Sequence, residues 1–170
     1  MIRIFIVSLF AFSAYLWSDW RNWRAYHSTI LFVVMGDFLY NFLTYNYSLW
    51  ELHSELGGHT INDLLITLVS FPSVVLLVLT HFPFNKKIMK KILFIVYWIF
   101  LFSIIEFAMK SMHGIIYFHG WSFGWSVLFN VYIFVVIPIH HKKPLLAYGL
   151  SLIMFFFIYF TLDIPTDHWK

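Results

Sequence analysis

The sequence predicts an all-α integral membrane protein, a bundle of about six transmembrane helices with both termini outside. Three observations carry this reading. Apolar stretches fill almost all of the 170 residues. The composition is 61% hydrophobic and 23% aromatic but only 11% charged, against about 25% charged in ordinary soluble domains. The cationic side chains collect in every second gap between the stretches, the pattern that orients multi-spanning chains. In lipid an apolar side chain is expected and a polar one is costly, so the few polar residues inside the stretches are the informative ones.

The first span, Ile2 to Trp17, is the shortest, and a count of five spans in place of six turns on it. It is followed by Asp19-Trp20-Arg21 rather than by a small-residue cleavage site, so it reads as a retained helix. The second runs from Thr29 to Trp50, the third from Ile61 to Phe82 and the fourth from Ile92 to Met109. The fifth covers Trp121 to Ile139 and the sixth Leu145 to Leu162. These lengths suit the roughly 17 to 25 residues that cross a bilayer, and continuous apolarity without alternation favours helices over a barrel. Pro72 lies inside the third span and should kink it, freeing a carbonyl for Ser70, Ser73 or water. Trp17, Trp20, Trp23, Trp50, Trp121 and Trp169 fall at span ends, where indoles anchor in the headgroup zone. The whole chain, 1–170, is one polytopic domain with no room for an appended module.

Arg21 and Arg24 occupy the first gap, Lys86, Lys87, Lys90 and Lys91 the third, and Lys142 and Lys143 the fifth. These gaps are expected in the cytoplasm. The acids show the opposite bias, with Glu51, Glu55, Asp63, Glu106, Asp163 and Asp167 towards the outer face. The net charge of +3 is explained by this orientation signal, with anionic lipid headgroups as its natural partners and no nucleic acid implied.

Asp37 and Asn41 are the most expensive pair in the chain. Four residues apart, they share one helical face inside the second span. A carboxylate at helix centre costs about 2.5 to 3.5 kcal/mol on insertion scales, and apart from Arg3 at the very start of the first span no Lys or Arg lies inside a span to neutralise it. Asn130, midway along the fifth span, is expected to join that face, with Tyr40, Thr44 and Tyr45 adding hydroxyls. Such a cluster serves either as interhelical glue, at roughly 0.6 to 2 kcal/mol, or as a binding or proton site.

A second polar group gathers at the outer face. His59, Asp63, His113 and His119 are candidate ligands of a divalent metal, because imidazoles and carboxylates form the zinc ligand set. Glu51 or Glu106 would serve as base. The competing uses are structural: Thr60-Ile61-Asn62-Asp63 also fits a capping box, and Glu106 can pair with Lys110 one turn on. Cysteine is absent, which excludes disulfides, thiolate nucleophiles and thiolate metal sites. The sequence has no His-Glu-x-x-His, Gly-x-Ser-x-Gly, Walker or dinucleotide pattern.

Leu39-Tyr40-Asn41-Phe42-Leu43-Thr44-Tyr45-Asn46-Tyr47, His59-Thr60-Ile61-Asn62-Asp63-Leu64-Leu65 and Lys143-Pro144-Leu145-Leu146-Ala147 resemble an uncharacterised family of small multi-spanning membrane proteins from spore-forming Gram-positive bacteria. The resemblance implies a bacterial plasma membrane or spore membrane and supplies no catalytic residue. The leading expectation is therefore a protein that binds a small molecule, lipid or partner in a polar intramembrane pocket, with Asp37, Asn41, Asn130, Tyr45 and Glu106 as contacts. The alternatives are a metal-dependent intramembrane hydrolase of lipid or envelope substrates and a small proton-coupled transporter. The two halves of the chain share no matching motif, which weighs against the inverted repeats common in transporters.

Overall fold

The computed structural model describes residues 2–52 and 64–165. Among them helix dominates. Helix α1 (Ile2–Trp17) is followed by a 3-10 segment (Trp20–Ala25) and α2 (His27–Leu43). A π turn (Ile66–Ser70) leads directly into α3 (Phe71–His81). Then come α4 (Ile88–Ser111), α5 (Phe123–Lys142) and α6 (Pro144–Thr161). The last three are long and apolar enough to cross a membrane, with mean hydropathies of 2.4, 1.7 and 1.8. Ile4–Trp17, His27–Leu43 and Ile66–His81 are apolar but shorter.

The second helix ends earlier than expected, at Leu43 rather than Trp50. Beyond it, polar side chains compete for backbone groups: Thr44 Oγ1 donates to the Tyr40 carbonyl at 2.8 Å and Ser48 Oγ to the Thr44 carbonyl at 3.3 Å. Trp50 instead opens a strand. The fold thus departs from an all-helical expectation by one antiparallel ribbon, β1 (Trp50–Leu52) with β2 (Ile115–Tyr117), which sets Trp50 opposite Tyr117 and Leu52 opposite Ile115. Aromatic and β-branched residues suit such a ribbon. The Phe118 amide extends it by donating to the Leu49 carbonyl at 2.8 Å.

The proline produces the π turn. Pro72 has no N–H to continue the ladder, and the Phe71 N–H reaches the Ile66 carbonyl, five residues back. Ser73 Oγ donates to the Val69 carbonyl at 2.6 Å, four residues back along its own helix, so the expected repair of the carbonyl freed by Pro72 is not what this bond provides. Ser70 Oγ is buried without a hydrogen-bond partner among the described residues. The extra residue in the turn shifts the face presented by everything before it.

Helices α3 and α5 form the centre: α3 packs on α1, α2 and α5, and α5 on α2, α4 and α6. The core joins Phe10 and Ala14 of α1, Val74, Val75 and Val78 of α3, Trp98 of α4, and Phe134 and Ile137 of α5. Trp98 stacks on Phe134 with centroids 5.6 Å apart, and Phe102 meets Phe134 edge-on at 4.9 Å. Such aromatic contacts add about 0.5 to 1.5 kcal/mol to the burial itself.

The three basic gaps meet at one end. The Asp19 amide donates to Thr80 Oγ1 at 3.1 Å, Tyr26 lies 5.8 Å from the His141 ring, and Lys142 Nζ sits 4.9 Å over the Phe84 ring. At the opposite end lie the ribbon and the loop that carries His119, whose Nδ1 contacts the Ser48 carbonyl at 2.8 Å.

Candidate functional site

Helix α2 places Asp37 and Asn41 on one face, as the four-residue spacing requires. Asn41 Nδ2 donates to Asp37 Oδ2 at 3.2 Å and to the Asp37 carbonyl at 3.0 Å. The partner from the neighbouring helix is Thr67, whose Oγ1 donates to Asp37 Oδ2 at 2.5 Å. Thr67 belongs to the π turn and is 1% exposed, while Asp37 is half-buried. A carboxylate accepting a hydroxyl proton makes a short, charge-assisted bond. Beside it, a Cβ added at Gly36 would meet nothing within 4 Å, so the helix surface next to Asp37 is open.

The other residues expected at this site lie elsewhere. Asn130 is half-buried on α5, and no hydrogen bond ties it to Asp37 among the described residues. Tyr45 falls past the end of α2 and is exposed. Tyr40 turns to the ribbon: its ring stacks on Trp50 at 5.1 Å and its oxygen accepts the Leu49 N–H at 3.3 Å.

Glu106 forms a separate constellation at the ribbon end. Its Oε1 accepts from the Tyr117 hydroxyl at 2.6 Å, and Lys110 Nζ lies 4.2 Å over the Tyr117 ring. The expected ion pair between Glu106 and Lys110 is thus replaced by a tyrosine inserted between them, because β2 carries Tyr117 back over the last turns of α4. Burial, and then the bond to Glu106, push the Tyr117 hydroxyl well above its ordinary pKa of 10.0. An open cleft of about 770 Å³ adjoins this group, lined by Lys110, His113 and Tyr117 together with residues of β2 and the start of α5.

Of the four candidate metal ligands, His59 and Asp63 lie outside the described residues. His113 and His119 are exposed, both in left-handed backbone with φ of 56° and 50°. Since a carbonyl can only accept, His119 Nδ1 carries the proton it gives to Ser48. The same imidazole stacks on Tyr47 at 3.6 Å. Among the described residues, no three His, Asp or Glu side chains converge as a metal-binding group.

Three residues of consequence escaped the sequence reading. Thr67 was hidden by a register that changes only because of the π turn, although Pro72 signals the break. Tyr117 lies in a loop whose pairing with Trp50 has no local signal. His140, within His140-His141-Lys142-Lys143, is not a surface group: it is 3% exposed, its Nδ1 is 3.0 Å from the hydroxyl of fully buried Thr29, and its ring stacks on Phe32 at 4.2 Å.

No family model, curated protein or solved structure matches this chain.

Proposed function

We propose that this chain is a multi-pass integral membrane protein that binds a small amphipathic molecule or lipid at Asp37, in a bacterial plasma membrane or spore membrane. The membrane reading is supported by surface chemistry. In the windows of α4 and α6 with hydropathies of 2.4 and 1.8, only 11% of residues are buried. Leu93, Phe100 and Phe107 of α4 and Leu152, Ile153 and Phe160 of α6 all face outward. Exposed apolar surface on this scale exceeds what a soluble monomer carries. Burying it in lipid contributes about 25 cal/mol per Å². The six-span count with both termini outside is supported by the meeting of the three basic gaps at one end of the bundle.

The observation that carries the binding site is the Asp37 carboxylate clasped by Thr67 of the π turn. π turns concentrate at functional sites, and an ionisable residue inside a span is a functional candidate by default because its placement is costly. A ligand would meet the open surface beside Gly36 and offer Asp37 a hydroxyl or amine donor.

Native mass spectrometry of the detergent-solubilised protein beside Asp37→Asn tests this. A co-purifying molecule retained by the wild type and lost in a variant of unchanged helicity is the expected result. Identical adducts in both, or none in either, would leave Asp37 as interhelical glue.

A further inference from the structure

We propose that the open cleft at the ribbon end is a second site, which takes a phosphate group carried by the headgroup of an anionic lipid. The cleft, about 770 Å³, lies between the end of α4, β2 and the start of α5. Lys110 supplies positive charge at its rim, Lys110 and His113 N–H donors, Ser122 a hydroxyl, and Ile116 and Trp121 apolar wall. None of the described lining residues is acidic.

Lys110 is kept available for an anion. Its ammonium rests over the Tyr117 ring at 4.2 Å, a contact that orders the stem without cancelling the charge. The nearest acid on its own helix face, Glu106, is already engaged by the Tyr117 hydroxyl at 2.6 Å. Tyr117 therefore separates the two charges and orients both. The Trp121 indole N–H is spent on Ser126 Oγ at 2.9 Å, which leaves its ring as wall rather than donor. Ser122 precedes α5 in extended backbone and makes no side-chain cap bond, so the positive end of that helix adds to the same field.

The amphipathic lining argues for a phosphate with hydrocarbon attached. Ile116 is exposed in the lining that also carries Lys110, an arrangement that fits a headgroup with its chains rather than a fully hydrated ion. The lipid source rests on the membrane reading above; the phosphate site does not.

The full-length protein in micelles containing equal phosphatidylglycerol and phosphatidylcholine tests the site by native mass spectrometry. Wild type should retain phosphatidylglycerol preferentially. Lys110→Gln with His113→Gln should lower that occupancy about tenfold or more, the scale of one charged hydrogen bond lost. Lys110→Arg should restore it, and Lys87→Gln, at the opposite end, should leave it unchanged. Equal retention of both lipids, or equal losses in the Lys110 and Lys87 variants, would overturn the proposal in favour of diffuse charge attraction. Displacement of the lipid by millimolar inorganic phosphate would keep the phosphate site and overturn the lipid as its source. Asp37→Asn, measured in parallel, reports on the first site alone, so the two readings fail separately.

Discussion

The hydroxyl of Thr67 and the carboxylate of Asp37 are joined at 2.5 Å across two helices, and the donor stands in a turn that is wound as π. Had the α ladder run unbroken through Pro72, Thr67 would occupy a different azimuth. The bond is therefore a product of the proline as much as of the threonine.

Thr67→Val keeps the shape of the side chain and removes its donor. The loss should be about 1.5 to 3 kcal/mol, the range for a hydrogen bond to a charged group, with Thr67→Ser close to wild type. Asp37→Asn combined with Thr67→Val should be less damaging than the sum of the two. Denaturant titrations in micelles supply the double-mutant cycle, and strict additivity would show that the pair is not coupled.

Gly36 offers the converse case. A Cβ there meets nothing within 4 Å, so Gly36→Ala should stabilise α2 by up to about 1 kcal/mol through reduced backbone entropy. A raised thermal midpoint of the ligand-free protein is expected. A lowered midpoint would mean that this face is closely covered.

Tyr117 carries a pH signature. Its folded-state pKa lies above the ordinary 10.0, first through burial and then through Glu106. The neutral phenol is the form the fold favours, so its contribution is fully present below about pH 10 and is lost as pH rises beyond it. In Tyr117→Phe, tyrosinate absorbance should lose a component that titrates above the bulk of the other tyrosines, and alkaline unfolding should become less steep. A missing component that titrates with the rest would contradict the buried bond to Glu106.

Helix positions were legible because continuous apolar runs announce themselves: α1 covers Ile2–Trp17 as expected, and α6 differs from its expected span by one residue at each end. The pairing of Asp37 with Asn41 was legible for the same reason, since a four-residue spacing fixes a helical face. Contacts that join distant segments were not. Trp50 reads as the tail of an apolar run until Tyr117 is set opposite it, and a three-residue strand has too few residues to show alternation. Glu106 and Lys110 read as an i,i+4 pair until the ribbon inserts a phenol between them.

His140 and His141 separate local composition from fold most sharply, since adjacent identical residues differ only in where α5 points them. His140 is enclosed by Thr29, Phe32 and Tyr148, whereas His141 is half-buried between Tyr26 and Phe84. His140→Ala should cost roughly 2 to 4 kcal/mol, combining a cavity with an orphaned Thr29 hydroxyl. His141→Ala should cost about 1 kcal/mol or less, because solvent and neighbouring rings refill a partly open site. Thr29→Val, placed in the His140→Ala background, should recover part of the loss by removing the orphaned hydroxyl. Equal destabilisation by the two histidine variants in a denaturant titration would mean that the basic end of the bundle is not organised around His140.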